Sequence, residues 1–283
     1  MIHLIGHKSA VRGLAFSPDG RTLASASADS TVRLWNISTS KQSKVLPAPF
    51  ASAECVAINH DGRVIVAGYE NGSVQVWRMH NLDLPERTTA HTKSCRSVQF
   101  QKIADSEFVS LGTDELLVHD PDTNLPMHYS LPLPAVAMDL DNSGQPVVLL
   151  ESGEVWRDFR IELRGFIHGG EGDLKCRPHS DGLAMTSGNF IGLWSGRRGE
   201  LPRTWRGHDA GVTQIAFLPD GSGLLSSGLD GVVRSWDLES LTERSAHDFG
   251  IGECFSIGVA PDGLTAAVGG LSEIVIWDVT QNI

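Results

Sequence analysis

Residues 6–35 read GHKSAVRGLAFSPDGRTLASASADSTVRLW, and most of the chain is variation on this stretch. After Gly6-His7, the apolar residues Val11, Leu14 and Phe16 are spaced three and then two apart. A regular strand alternates its faces with a period of two. One extra residue near Arg12-Gly13 keeps all three on one face, so the spacing predicts a β-bulge there. Ser17-Pro18-Asp19-Gly20 follows as a turn, in which proline presets φ and glycine accepts positive φ. A second strand runs from Leu23 to Ser27, and a polar turn at Asp29-Ser30 leads into a third. That strand alternates Val32 and Leu34 against Thr31 and Arg33 before Trp35. A more polar fourth strand around Lys44-Val45-Leu46 suits an outer edge, where charge discourages pairing with foreign strands.

The same grammar returns along the chain. The three-then-two spacing recurs at Cys95, Val98, Phe100, at Val212, Ile215, Phe217 and at Cys254, Ile257, Val259. Equivalent turns stand at His60-Asp61-Gly62, Asn142-Ser143-Gly144, Ser180-Asp181-Gly182, Pro219-Asp220-Gly221 and Pro261-Asp262-Gly263. Repeats close at Trp35, Trp77, His119, Trp156, Trp194, Trp236 and Trp277, in steps of 42, 42, 37, 38, 42 and 41 residues. A period near 40 is the mark of a propeller blade of four antiparallel strands. The expectation is an all-β fold, a single seven-bladed β-propeller domain over residues 1–283. Only six residues follow Trp277, too few for an outer strand of the last blade. Met1-Ile2-His3-Leu4-Ile5 stands where every other repeat has the preceding blade's outer strand. It is expected to complete the last blade and close the ring.

Composition narrows the function classes. Apolar residues make up 41% of 283, enough for a packed interior, and no apolar run is long enough to cross a bilayer. No charged-apolar-small leader follows Met1. Cys55, Cys95, Cys176 and Cys254 have neither metal spacing nor a disulfide-framework pattern, which points to a reducing, cytoplasmic compartment. A formal charge of −11 argues against nucleic acid or an anionic membrane as the main partner. Arg157, Arg160, Arg164, Arg197, Arg198, Arg203 and Arg206 nevertheless gather between residues 151 and 206. They read as solvated loop charges or, alternatively, as a dock for an acidic segment.

Gly-His at the start of the repeat and Trp-Asp at its end resemble the WD-repeat family. Trp236-Asp237 and Trp277-Asp278 match the closing dipeptide, whereas Trp35-Asn36 and Trp77-Arg78 depart from it. The resemblance extends over essentially the whole chain. It implies an internal network of Asp, His, Ser and Trp, carried by His7, Ser25, Asp29 and Trp35 in the first repeat and by His208, Ser226, Asp230 and Trp236 in the sixth. The third repeat keeps His91, Ser110 and Asp114, but its last strand is one residue short. Asn71 replaces the turn aspartate of the second repeat. His168, in the fifth, stands one residue out of phase with no turn aspartate to meet it. A Ser/His/Asp set invites a catalytic reading, yet a set recurring in stacked blades faces no common pocket. The histidines lie a blade apart, with no second ligand three or four residues away, so neither catalytic nor metal residues are expected. No cofactor is expected either.

The family resemblance also implies docking on the rim where the outer-to-inner loops and the second-to-third turns meet the channel. Alignment places Lys8, Arg12, Glu54, Glu70, Lys93, Arg96, Thr213, Leu229, Phe249, Phe255 and Leu271 there. Leu229, Phe249, Phe255 and Leu271 share one sector, and clustered apolar groups of this kind mark interfaces. The resulting expectation is a non-catalytic scaffold, monomeric on its own, that docks a protein or peptide segment. A recognition domain of a larger signalling protein is the alternative. An enzyme using the channel is disfavoured, because the inner-strand positions read as apolar or small.

Overall fold

The computed structural model describes residues 1–47, 51–88, 91–101, 107–120, 126–157, 160–163, 172–197 and 199–280. Seven four-stranded antiparallel sheets stand around a channel, each running from an inner strand at the channel to an outer one. The first blade comprises Val11–Phe16, Thr22–Ser27, Thr31–Asn36 and Lys41–Pro47, and the second Ala53–Ile58, Val64–Tyr69, Val74–Arg78 and Asn81–Thr88. Ser97–Phe100, Phe108–Leu111, Glu115–His119 and Met127–Ser130 form the third. The fourth is Ala135–Leu140, Pro146–Leu150, Val155–Arg157 and Arg160–Leu163, and the fifth Leu174–Cys176, Leu183–Ser187, Phe190–Trp194 and Arg203–Arg206. Val212–Phe217, Gly223–Gly228, Val232–Asp237 and Glu243–Asp248 form the sixth. The seventh takes Ser256–Val259, Thr265–Gly269 and Glu273–Asp278 from the C-terminal end and Ile2–Ile5 from the N-terminal end.

That last pairing closes the ring. Ile2 lies opposite Ile276, His3 opposite Val275, Leu4 opposite Ile274 and Ile5 opposite Glu273. Leu4 is buried with Val11, Leu23, Trp35, Ile274 and Ile276, so the closing strand joins the core between the last and first blades. The same pattern repeats around the ring. Each closing tryptophan packs between its own blade and the one before, as Trp77 does with Leu34 and Leu46 of the first blade. Apolar area is thereby buried between blades rather than within a single sheet.

The predicted bulges occur at Arg12 and Thr213, and further ones at Glu54 and Val136. In the third and seventh blades the inner strand begins two residues later, just after the expected bulge position. There the N–H groups of Arg96 and Phe255 donate to Leu111 and Gly269, the partners of the residues that follow them. The turn glycines Gly20, Gly62, Gly144, Gly221 and Gly263 have φ between 68° and 83°. The fifth blade differs: positive φ falls on His179, at 59°, and not on Gly182. Pro178 sets that turn three residues upstream of the Asp181-Gly182 pair that the sequence suggested, and Asn142 Oδ1 of the neighbouring blade accepts from the His179 N–H at 3.3 Å.

Candidate functional site

The buried polar relays decide what is available for chemistry. In the first blade Trp35 Nε1–H donates to Ser25 Oγ at 2.8 Å, Ser25 Oγ lies 2.7 Å from His7 Nε2, and His7 Nδ1 lies 2.9 Å from Asp29 Oδ2. The sixth blade repeats the relay through Trp236, Ser226, His208 and Asp230 at 2.9, 2.7 and 2.8 Å. If each group donates once, indole to hydroxyl, hydroxyl to imidazole and imidazole to carboxylate, every member is satisfied with a neutral histidine. Burial lowers the pKa of both histidines, and their aspartates only partly oppose it. Burial works against the Asp230 carboxylate, but hydrogen bonds from Arg234 and His208 outweigh it and hold the pKa down at about 2. No nucleophile faces an open site here, because Ser25 and Ser226 are both fully buried.

The third blade uses a different acid from the one its sequence suggested. Glu115, not Asp114, meets His91, at 3.3 Å, and also accepts from the Thr92 N–H at 2.9 Å. Asp114 faces outward and pairs with Lys93 at 3.0 Å. His119 takes the tryptophan's place, with Nε2 2.7 Å from Ser110 Oγ and its ring stacked on Phe108 at 4.2 Å. The shortened strand moves the carboxylate one position along, and the longer glutamate side chain makes up the reach. In the other blades the serine position is filled by buried Ala67, Leu150, Met185 and Val268, so the core there is apolar.

His208→Ala is expected to cost about 1–3 kcal/mol, because it leaves the fully buried Ser226 hydroxyl short of a partner. Asp230 keeps Arg234, at 2.7 Å. Urea midpoints against the exposed His60→Ala control would check this, and equal midpoints would show the relay to be energetically idle. His168, the comparator that the sequence offered, lies outside the described residues.

On the rim, backbone bonds from Ala28 to Ala10, Glu70 to Ser52 and Leu229 to Gly211 tie the second-to-third turns of the first, second and sixth blades to the loop entering the same blade. Both loop sets therefore border the same end of the channel. Lys8, Arg12, Glu70, Lys93 and Arg96 are exposed there, and Arg12 Nε lies 3.6 Å from Glu54 Oε2. Leu229 and Leu271 are 39% and 51% exposed. A Cβ on Gly252 would meet Leu271 at 3.4 Å, one on Gly231 would meet the Gly252 carbonyl at 3.1 Å, and one on Gly211 would meet Leu229 at 3.4 Å. Phe255 is half-buried. Phe249 is placed against Trp277, ring centroids 5.0 Å apart, where His7 covers Trp35 in the first blade. It acts as an apolar substitute for the relay histidine. Thr213 Oγ1 donates or accepts within 2.9 Å of Ser227 and Cys254, which ties the sixth blade to the seventh.

Of the arginine-rich segment, Arg164 and Arg198 lie outside the described residues. Arg203 donates to Leu238 O at 3.1 Å, and Arg206 donates to His208 O and pairs with Asp209. Arg197 pairs with Glu200, Arg157 is buried near Asp141, and Arg160 opens an outer strand.

The channel holds what the sequence reading missed. A cavity of about 300 Å3 is lined by Ser97, Gln99, Asp139, Asp173, Lys175 and Gln214 on one side and by small residues such as Gly13 and Gly258 on the other. Asp139 accepts from the Cys176 N–H at 2.8 Å, Asp173 from the Ile215 N–H at 3.0 Å, and Gln214 from the Ile257 N–H at 3.1 Å. Each side chain thus staples its blade to the next. Lys175 Nζ lies 3.7 Å from Asp173. Burial opposes its ammonium, but Asp173 and Asp139 outweigh that and raise its pKa, while burial raises that of Asp139. The signal was present in the alternation of Asp139 after the Val136 bulge. It was illegible without the register of the fourth and fifth blades.

A family model described as "WD domain, G-beta repeat" matches residues 1–36, 40–78 and 199–237, which cover the first, second and sixth repeats. Protein groucho of Drosophila melanogaster is 42% identical over 87 residues, 31% of this chain and 12% of that protein. Ribosome biogenesis protein ytm1 of Botryotinia fuckeliana (strain B05.10) is 28% identical over 265 residues, 87% of this chain and 53% of that protein. The chain spans about half or less of the length of these relatives.

Proposed function

We propose, on the premise that this chain is a seven-bladed propeller carrying WD40 repeats, that it is a non-catalytic scaffold docking a protein or peptide segment on the rim around its channel. The observation that supports this most directly is the exposure of two leucines, Leu229 and Leu271, on the rim of the sixth and seventh blades. Buried apolar anchors supply more binding energy than solvated charges. The occupied state of the channel carboxylates supports the absence of chemistry, because Asp139 and Asp173 already accept the backbone N–H groups of neighbouring blades. The likeness to two longer proteins, one named for ribosome biogenesis, fits a propeller working as one module of a larger protein or assembly. Four free thiols fit a reducing compartment such as the cytoplasm.

Leu229→Asp combined with Leu271→Asp should abolish recovery of native partners from lysate. It should move the unfolding midpoint little, since exposed substitutions stay within about 0.5 kcal/mol. Arg197→Glu with Arg206→Glu is the contrasting variant. Loss of partners in that variant alone, steeply dependent on salt, would replace the apolar dock with an electrostatic one.

A further inference from the structure

We propose that Cys55 and Cys95 are an oxidation site, at which hydrogen peroxide entering the channel converts the thiol pair into a disulfide joining the second and third blades. Cys55 lies on the inner strand of the second blade and lines the channel cavity. Cys95 is fully buried just ahead of the inner strand of the third. Gly68 stands opposite Cys55 in the sheet, and the point its Cβ would occupy is within 3.0 Å of both sulfurs. The two thiols therefore share one gap, open because Gly68 has no side chain. Bridging demands close Cβ atoms and an S–S bond of about 2 Å, which a shared gap between adjacent blades brings within reach.

Each sulfur also has a backbone carbonyl within reach. Cys55 Sγ lies 3.8 Å from the Cys95 carbonyl oxygen and Cys95 Sγ 3.7 Å from that of Ser97. Its hydrogen bond with Cys55, together with burial, raises the pKa of Cys95, which makes it a poor first target. Cys55 is reachable from the channel and reacts first. The Cys55 thiol gives up its proton, its thiolate sulfur attacks one peroxide oxygen, the O–O bond breaks, and the departing hydroxide takes up that proton and leaves as water, giving a sulfenic acid at Cys55. Cys95 then loses its proton and attacks the Cys55 sulfur, the S–O bond breaks, and a second water leaves. Two thiols lose two electrons and two protons, and the peroxide is reduced to two waters.

The bond would close a loop between residues 40 apart. It would also fix the spacing of Glu54 and Arg96, the rim residues that adjoin the two cysteines. The thermal midpoint should rise on oxidation, as expected when a cross-link restrains the unfolded chain.

The test treats the full chain with hydrogen peroxide, counts free thiols, and maps peptides without reduction. Titratable thiols should fall from four to two. The peptide holding Cys55 should be joined to that holding Cys95, and dithiothreitol should restore both. Cys95→Ala should halt at a Cys55 sulfenic acid that dimedone traps, and Cys55→Ala should keep its three thiols. A thiol count that stays at four, a Cys55 sulfinic acid without cross-link in the wild type, or a bridge to Cys176, Cys254 or a second chain would each overturn the proposal.

Discussion

Removal of residues 1–5 is expected to open the ring, lower the melting temperature and promote self-association. The strand Ile2–Ile5 is the only partner for the outer edge of Glu273–Asp278 among the described residues, and that edge carries buried Ile274 and Ile276. An open, apolar edge strand is a template for pairing with another chain. A point change isolates the packing component. Leu4 is 1% exposed, wedged among Val11, Leu23, Trp35 and Ile276. Leu4→Ala should cost about 3 kcal/mol as a buried cavity. Leu4→Asp should cost more, because it also places an unpaired carboxylate in that core. Ile5→Asp, at a position 73% exposed, is the control and should be nearly neutral. Urea midpoints and sedimentation would read these effects. A truncated chain that melts like the intact one and stays monomeric would show that the ring holds without this strand.

The second large effect is a loss of stability on mild acidification, centred on the third blade. Burial, reinforced by the nearby His91, pushes the pKa of His119 from 6.5 down to about 4. The unfolded chain takes up this proton near pH 6.5 while the folded chain resists until about 4. In that window the unfolded state binds more protons, so stability rises with pH. The contribution is complete above the unfolded value and is lost as pH falls. At 1.36 kcal/mol per pH unit, His119 alone should remove about 2 kcal/mol between neutrality and pH 5. His7, His91 and His208 are lowered in the same direction, each chiefly by burial. The carboxylates of Asp29, Glu115 and Asp230 are held low instead, so their contributions are lost only at more acidic pH. His119→Gln keeps an N–H donor for Ser110 without a titrating ring. Denaturation series at pH 7.5 and 5.0 should show a shallower pH slope in this variant whatever its absolute midpoint. Equal slopes would place the titrating group elsewhere.

The architecture was legible in the chain because a blade is a local object. Its strands are consecutive, its turns carry Pro, Asp and Gly at fixed offsets, and the bulge announces itself as the spacing of Val11, Leu14 and Phe16. The relays of the first and sixth blades were readable for the same reason, since His7 to Trp35 and His208 to Trp236 keep one spacing. Where the local length changed, the reading slipped. One residue fewer in the third blade moved the acid from Asp114 to Glu115, and Pro178 moved the fifth blade's turn to His179.

Contacts between blades obey no such period. The side chain that meets Asp139 is set by the register of a neighbouring sheet, and so is the backbone N–H that it caps. Phe249 illustrates the point: from its loop position it reads as a rim residue, yet it seals Trp277 because the serine and histidine of that blade are absent. Cys55 and Cys95 likewise come together only through the gap at Gly68. By itself the sequence determined seven blades, their bulges and turns, and the strand that closes the ring, because each of these follows from side-chain periodicity within about 40 residues. The tertiary structure alone decided which polar groups are stapled between blades, which apolar residues stay exposed on the rim, and which thiols meet. Those outcomes depend on the angle and register at which separate sheets pack, and a linear alternation of apolar and polar residues encodes neither.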